Sequence, residues 1–192
     1  MNTIVVKIKG TAPMLMHSDR LTDPLSDVAK AHKKLTSDRN LKKTDEGQLM
    51  IAKSEFLASL YLDDTGVICL PSLNIRKSLI EGARLFKGGK QIERGVIFPE
   101  MTFKLNYSGP KDPEKLWENK AYVDGRSVVV GRAKIIRYRP IFPEWNSEVE
   151  TMFNPDLINE EDLLHYWEHA GMCAGLGDFR PLFGRYEVEV IN

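Results

Sequence analysis

Gly175-Leu176-Gly177-Asp178-Phe179-Arg180-Pro181-Leu182-Phe183-Gly184-Arg185-Tyr186 places three glycines, two arginines and three aromatic rings within twelve residues. Without a Cβ, the glycines let backbone amides approach a phosphate closely, and the guanidinium groups of Arg180 and Arg185 neutralise it. Phe179, Phe183 and Tyr186 supply ring faces on which bases stack. The same composition also describes a tight turn whose rings fill a core, and the residues leave both readings open. Before this stretch lies an acidic helical pattern over 159–174, with Leu163, Leu164, Trp167 and Ala170 on one face and Asn154 or Asn159 as the capping residue. After it, residues 186–191 alternate as a final strand.

Working outward, residues 3–9 read as a first strand in which Lys7 and Lys9 alternate with β-branched neighbours. Residues 24–61 carry two helical patterns separated by a polar loop at 36–47. The turn Asp63-Asp64-Thr65-Gly66 leads into a short apolar run, and Ser72 caps a helix expected to reach about Phe86. Residues 95–98 and 101–107 read as a hairpin or a bent strand, and 108–125 as a loop with one helical turn. The longest strand pattern, 127–139, is expected to bend at Gly131 and to pair with 148–153. The order of these elements is compatible with an antiparallel sheet faced by helices, an α+β class.

Composition narrows the function classes. A chain of 192 residues, 42% hydrophobic and 28% charged, is a globular protein with a core of useful size, and one domain is expected. Its two cysteines, Cys69 and Cys173, form no C-x-x-C or Cys/His pattern, so zinc and redox motifs are not indicated and both are expected reduced. No basic region followed by an apolar one opens the sequence, and no apolar run approaches the roughly 18–20 residues of a membrane span. A cytoplasmic protein with no membrane partner is expected. The balanced total of 27 basic and 27 acidic residues hides a division: residues 1–143 hold 25 Lys and Arg against 16 Asp and Glu, and residues 144–169 hold eight acids and no Lys or Arg. Either a basic face stands apart from an acidic one, or the charges mix on a solvated surface.

Three local sequences resemble signatures of the RAMP superfamily, the backbone and processing subunits of CRISPR ribonucleoprotein complexes. Ile8-Lys9-Gly10-Thr11-Ala12-Pro13-Met14-Leu15-Met16-His17 is similar to the family's first strand and its G-T-x-P-L turn. The segment from Ile68 to Arg84 resembles the strand-to-helix motif I-P-G-S-S-h-K-G-x-h-R (h, apolar), with Ser72 and Lys77 or Ser78 where that motif has glycines. The stretch from Gly175 to Tyr186 resembles the C-terminal G-h-G…G-h-G loop, with Tyr186 in place of its last glycine. Together the motifs span about 40 residues. The whole chain also resembles small proteins carried by bacteriophages. The resemblance implies one ferredoxin-like (RRM/RAMP-like) domain over 1–192, with a helical insertion at about 24–61 and an extended hairpin at about 126–153 that embraces a bound strand.

The function expected is binding of single-stranded RNA or DNA, with polymerisation along the strand as a homo-oligomer or filament, no catalytic residues and no cofactor. The contact residues expected are Arg76, Lys77 and Arg84 on the middle helix, where 77 and 84 share a face, and Arg126, Arg132, Lys134, Arg137 and Arg139 on the hairpin. Gly175, Gly177, Phe179, Arg180, Gly184 and Arg185 complete the set. An alternative is a RAMP-type endoribonuclease with His17 as general base. A further alternative is a phage protein that meets a host protein through helix 159–174. His165 and His169 have the i, i+4 spacing of a helical metal site, with only Glu161 or Glu168 as a third ligand and no zinc-protease motif.

Overall fold

The first strand, β1 (Asn2–Gly10), buries Ile4, Val6 and Ile8 and turns Lys7 and Lys9 outward, as its alternation requires. The computed structural model describes residues 1–131 and 133–191. Along the chain follow β2 (Met14–Leu15), α1 (Asp27–Ser37), α2 (Asp45–Ser59), β3 (Cys69–Pro71), α3 (Ser72–Arg84), α4 (Gly89–Gly95) and β4 (Val96–Ile97). Then come β5 (Thr102–Lys104), α5 (Pro113–Glu118), β6 (Val123–Val130), β7 (Ala133–Phe142), β8 (Asn146–Phe153), α6 (Glu160–His169) and β9 (Tyr186–Val190). The architecture is α+β with antiparallel sheets. No helix among the described residues is long and apolar enough to cross a membrane.

The chain gathers into two compact units. The first holds Met1–Met14, Leu62–Ser108 and the chain from Phe142 onward. Its four-stranded sheet runs β4-β8-β1-β9, with Val6 opposite both Val149 and Val190. The buried face of β1 meets Ser147, Val149 and Thr151 of β8, and α3 packs on α6 in the same unit. Trp167, Trp145 and Tyr186, 0%, 3% and 2% exposed, are bulky aromatic side chains of this core. The Asn159 side chain caps α6 by accepting the Asp162 N–H at 2.8 Å. Ser72, in contrast, does not cap α3: it is the first helical residue, and its N–H donates to the Met101 carbonyl at 2.9 Å.

The second unit holds Leu15–Tyr61 and Gly109–Ile141. It contains α1, α2, α5 and the hairpin β6–β7, in a sheet ordered β2-β7-β6. Phe56 of α2 packs on Trp117 of α5 with ring centroids 5.3 Å apart.

Two expected pairings differ. The hairpin closes at Gly131, with Val130 opposite Ala133, and 148–153 pairs with β1 instead. Gly131 takes φ 61°, which suits a hairpin turn rather than a bend. The strands at 96–97 and 102–104 likewise do not pair with each other: β4 joins β8 and β5 joins β3.

The Tyr186 hydroxyl lies 3.2 Å from the buried Ser78 hydroxyl of α3. Burial pushes the Tyr186 phenol well above its ordinary range, and the Ser78 contact opposes this. Replacing Tyr186 with Phe leaves the Ser78 hydroxyl without that partner and is expected to cost about 1–3 kcal/mol in urea unfolding. In a double-mutant cycle with Ser78→Ala, the two losses should fall short of additivity by about 1 kcal/mol, and strict additivity would show that the two hydroxyls do not interact.

Candidate nucleic-acid interface

The glycine-rich loop is shaped by positive backbone angles at Gly175, Gly177, Phe179 and Gly184, with φ of 71°, 78°, 54° and 74°. Leu176 N–H donates to the Gly184 carbonyl at 2.9 Å, and Gly184 N–H donates to the Pro13 carbonyl at 2.8 Å. The next residue, Arg185, accepts the N–H groups of Thr11 and Ala12 at 2.9 and 3.3 Å. The loop thus closes on itself and on the segment that follows β1.

It also joins α3. Arg180 Nη1 stands 3.1 Å from Glu81 Oε2, and Tyr186 meets Ser78 one helical turn earlier. Residues from all three stretches singled out in the sequence, 8–17, 68–84 and 175–186, are therefore in contact within one unit. On α3, Arg76, Lys77 and Arg84 line a shallow cavity of about 250 Å³ with Glu81. Arg76 donates to the Glu93 carbonyl at 2.7 Å and Arg84 lies 3.6 Å from the Glu93 carboxylate, while Lys77 is exposed. Phe179, 40% exposed, offers a ring at the loop surface. Arg185 stands elsewhere, beside Thr11, Glu168 and Met172. Tyr186 does not offer a stacking face: as the first residue of β9 it alternates inward and is 2% exposed.

The hairpin cations, all in the other unit, are differently placed. Arg126 and Arg137 stand directly opposite each other, and Arg139 is opposite Asp124, so all four share one face of the ribbon. Two carboxylates offset this concentration of like charge. Asp124 accepts from Arg126 Nε at 2.6 Å, and Glu55 of α2 accepts from Arg137 and, at 3.0 Å, from the Tyr138 N–H. The open basic face expected of this ribbon is thereby largely neutralised. Arg139 is 7% exposed and presents no surface contact. Lys134, on the opposite face, is exposed, and Arg132 lies outside the described residues.

Glu55 was not legible as an organising residue, although an acid between Ala52 and Phe56 on a buried helix face is the signal that finds it. Nearby, His32 Nδ1 lies 3.1 Å from Ser54 Oγ, and burial holds this imidazole below its ordinary range, with Glu55 opposing the shift. His17 is exposed and its carbonyl accepts from the Tyr61 hydroxyl at 3.2 Å. His165 and His169 stand 4.5 Å apart, ring to ring, each packed on Phe86. No group of three metal-ligating side chains gathers among the described residues. No protein-family model and no curated protein matches the chain.

Removing one partner of a buried ion pair strands the other. Glu55→Ala is expected to destabilise by about 2–4 kcal/mol in chemical denaturation, the lower part of the range applying because Arg137 stays partly exposed. Glu55→Gln should cost less, since its amide oxygen still accepts from Tyr138 N–H. Equal and negligible effects of both changes would show that the carboxylate does not organise the hairpin.

Proposed function

We propose that this chain is a RAMP-like protein that binds single-stranded nucleic acid without cleaving it, on the surface where the glycine-rich loop meets α3. The observation that carries this reading is the convergence of the three RAMP-like stretches: 8–17 bonded to 184–185, and α3 bonded to Arg180 and Tyr186. Connectivity supports it. The path β1-α3-β4-β8-α6-β9 across a sheet ordered β4-β8-β1-β9 follows the element order expected of a ferredoxin-like β-α-β-β-α-β core, which supports that reading of the α+β architecture. The helices of 24–61 and the hairpin are then elaborations of that core.

Two departures from the family pattern also fit together. Lys77 or Ser78 on the helix and Tyr186 on the loop stand where the resembled motifs have glycines, and the Ser78 and Tyr186 hydroxyls meet each other in the core. In this reading Lys77, Arg84 and Arg76 meet phosphates, and Phe179 stacks a base. Arg180 holds the loop against α3 through Glu81. The acidic stretch 144–169 turns phosphates away from the rest of the unit, which orients the strand.

The test is fluorescence anisotropy with labelled single strands and duplexes of RNA and DNA. Single strands should bind more tightly, with log affinity falling by about 0.7 per phosphate contact for each unit of log salt. Lys77→Glu with Arg84→Glu should weaken binding at least about tenfold, because two attractive contacts become repulsive, with circular dichroism unchanged. Absence of binding near 50 mM salt, a condition that favours ionic contacts, would overturn the proposal. Labelled RNA should stay intact with and without divalent metal, and cleavage lost in His17→Ala would favour the endoribonuclease reading.

A further inference from the structure

One backbone edge of the hairpin is left uncovered. The Tyr138 N–H points away from β6, to Glu55, and the Pro140 carbonyl points the same way, accepting the Met16 N–H at 2.9 Å. Alternate residues of a strand direct their N–H and C=O groups to the same edge, so Lys134 and Ile136 direct theirs there too. The neighbouring strand β2 ends at Leu15, and no strand among the described residues covers β7 beside Lys134 and Ile136.

Helix α2 runs beside this edge. Between them lies a groove of about 530 Å³, with Leu49 and Ala52 on the helix side and Ile136 and Tyr138 on the strand side. Glu55, which is bonded to the strand, and Asp45 both line it. The two acids are ten helical positions apart, about 15 Å, which accommodates four or so extended residues at about 3.3 Å each. Leu49 and Ile136 are 56% and 53% exposed, so the groove is apolar and open to solvent. No Lys or Arg lines it, and Asp45 makes no ion pair among the described residues.

These features choose between occupants. A phosphodiester entering the groove meets the carboxylate of Asp45 and no unpaired cation, since Arg137 is held by Glu55. An extended peptide meets free backbone donors and acceptors along one side, apolar side chains along the other, and a carboxylate at one end. We infer that the α2–β7 groove binds an extended segment of a partner protein as an added strand on β7, with apolar residues at alternate positions and a Lys or Arg opposite Asp45. This site shares no residue with the nucleic-acid surface and does not depend on it.

The probe is a labelled synthetic heptapeptide, Lys-Val-Thr-Val-Thr-Val-Thr, titrated with the full chain and followed by anisotropy. Saturable binding is expected, and N-methylation of alternate peptide nitrogens should weaken it at least about tenfold by removing the donors that pair with β7. Leu49→Glu and Ile136→Glu, on different elements and both at exposed positions, should each weaken it comparably with circular dichroism unchanged. Asp45→Lys should reverse the preference from the Lys-headed peptide to a Glu-headed one. Binding that survives N-methylation or both groove substitutions would overturn the inference. So would self-association, measured by sedimentation, that Leu49→Glu abolishes, since the occupant would then be a second copy. Displacement of the peptide by a single-stranded oligonucleotide, lost with the same substitutions, would assign the groove to nucleic acid and also overturn it.

Discussion

A Cβ on Gly184 would stand 1.8 Å from the carbonyl oxygen of Leu176, so this position admits no side chain. That absence lets the two arms of the loop approach closely enough for Leu176 to donate to Gly184 and for Gly184 to donate to Pro13. From there the chain has one course. Arg185 accepts from Thr11 and Ala12, which sets Tyr186 opposite Gly10 and fixes the register of β9 on β1. The register, in turn, sends Tyr186 into the core and Glu187 outward to Lys9, 3.1 Å away. A single shift would exchange these two side chains, placing a carboxylate where a buried ring belongs.

Charge is organised at the same local scale. The total is zero, yet the three arginines of the hairpin face are offset by two acids placed among them, Asp124 in the ribbon and Glu55 on α2. Arg180 is likewise matched to Glu81. Cations that sit in such pairs maintain architecture, and those that remain exposed, Lys77 and Lys134 among them, are the ones available to a ligand. A count along the sequence gives them equal weight, because it does not record which acid lies beside which base.

Much of the local structure was legible because its signals are local. Alternation marked β1, the Asn159 cap marked α6, and helical periodicity marked α2 and α3. The hairpin partner was missed because Gly131 within a β-branched run looks the same as a bend or a turn, and only the register distinguishes them. Tyr186 and Arg139 were misplaced for a related reason: an aromatic or an arginine faces in or out according to strand phase, which depends on a neighbour far along the chain. The glycine loop was legible as a loop from composition alone. Its union with 10–13 and α3 was not, since those contacts link segments that no periodicity relates.

The same long-range pairing shapes how the chain must assemble. Val6 waits for Val149 and finally Val190, whereas the unit built from 15–61 and 109–141 is complete before either partner has been synthesised. Contacts so distant in sequence close slowly, because each requires a long loop to be ordered before any pairing rewards it. Until residues 146–153 and 186–190 have been made, the apolar stripe Ile4, Val6 and Ile8 has neither of its strand partners, the kind of exposed surface that invites misassembly.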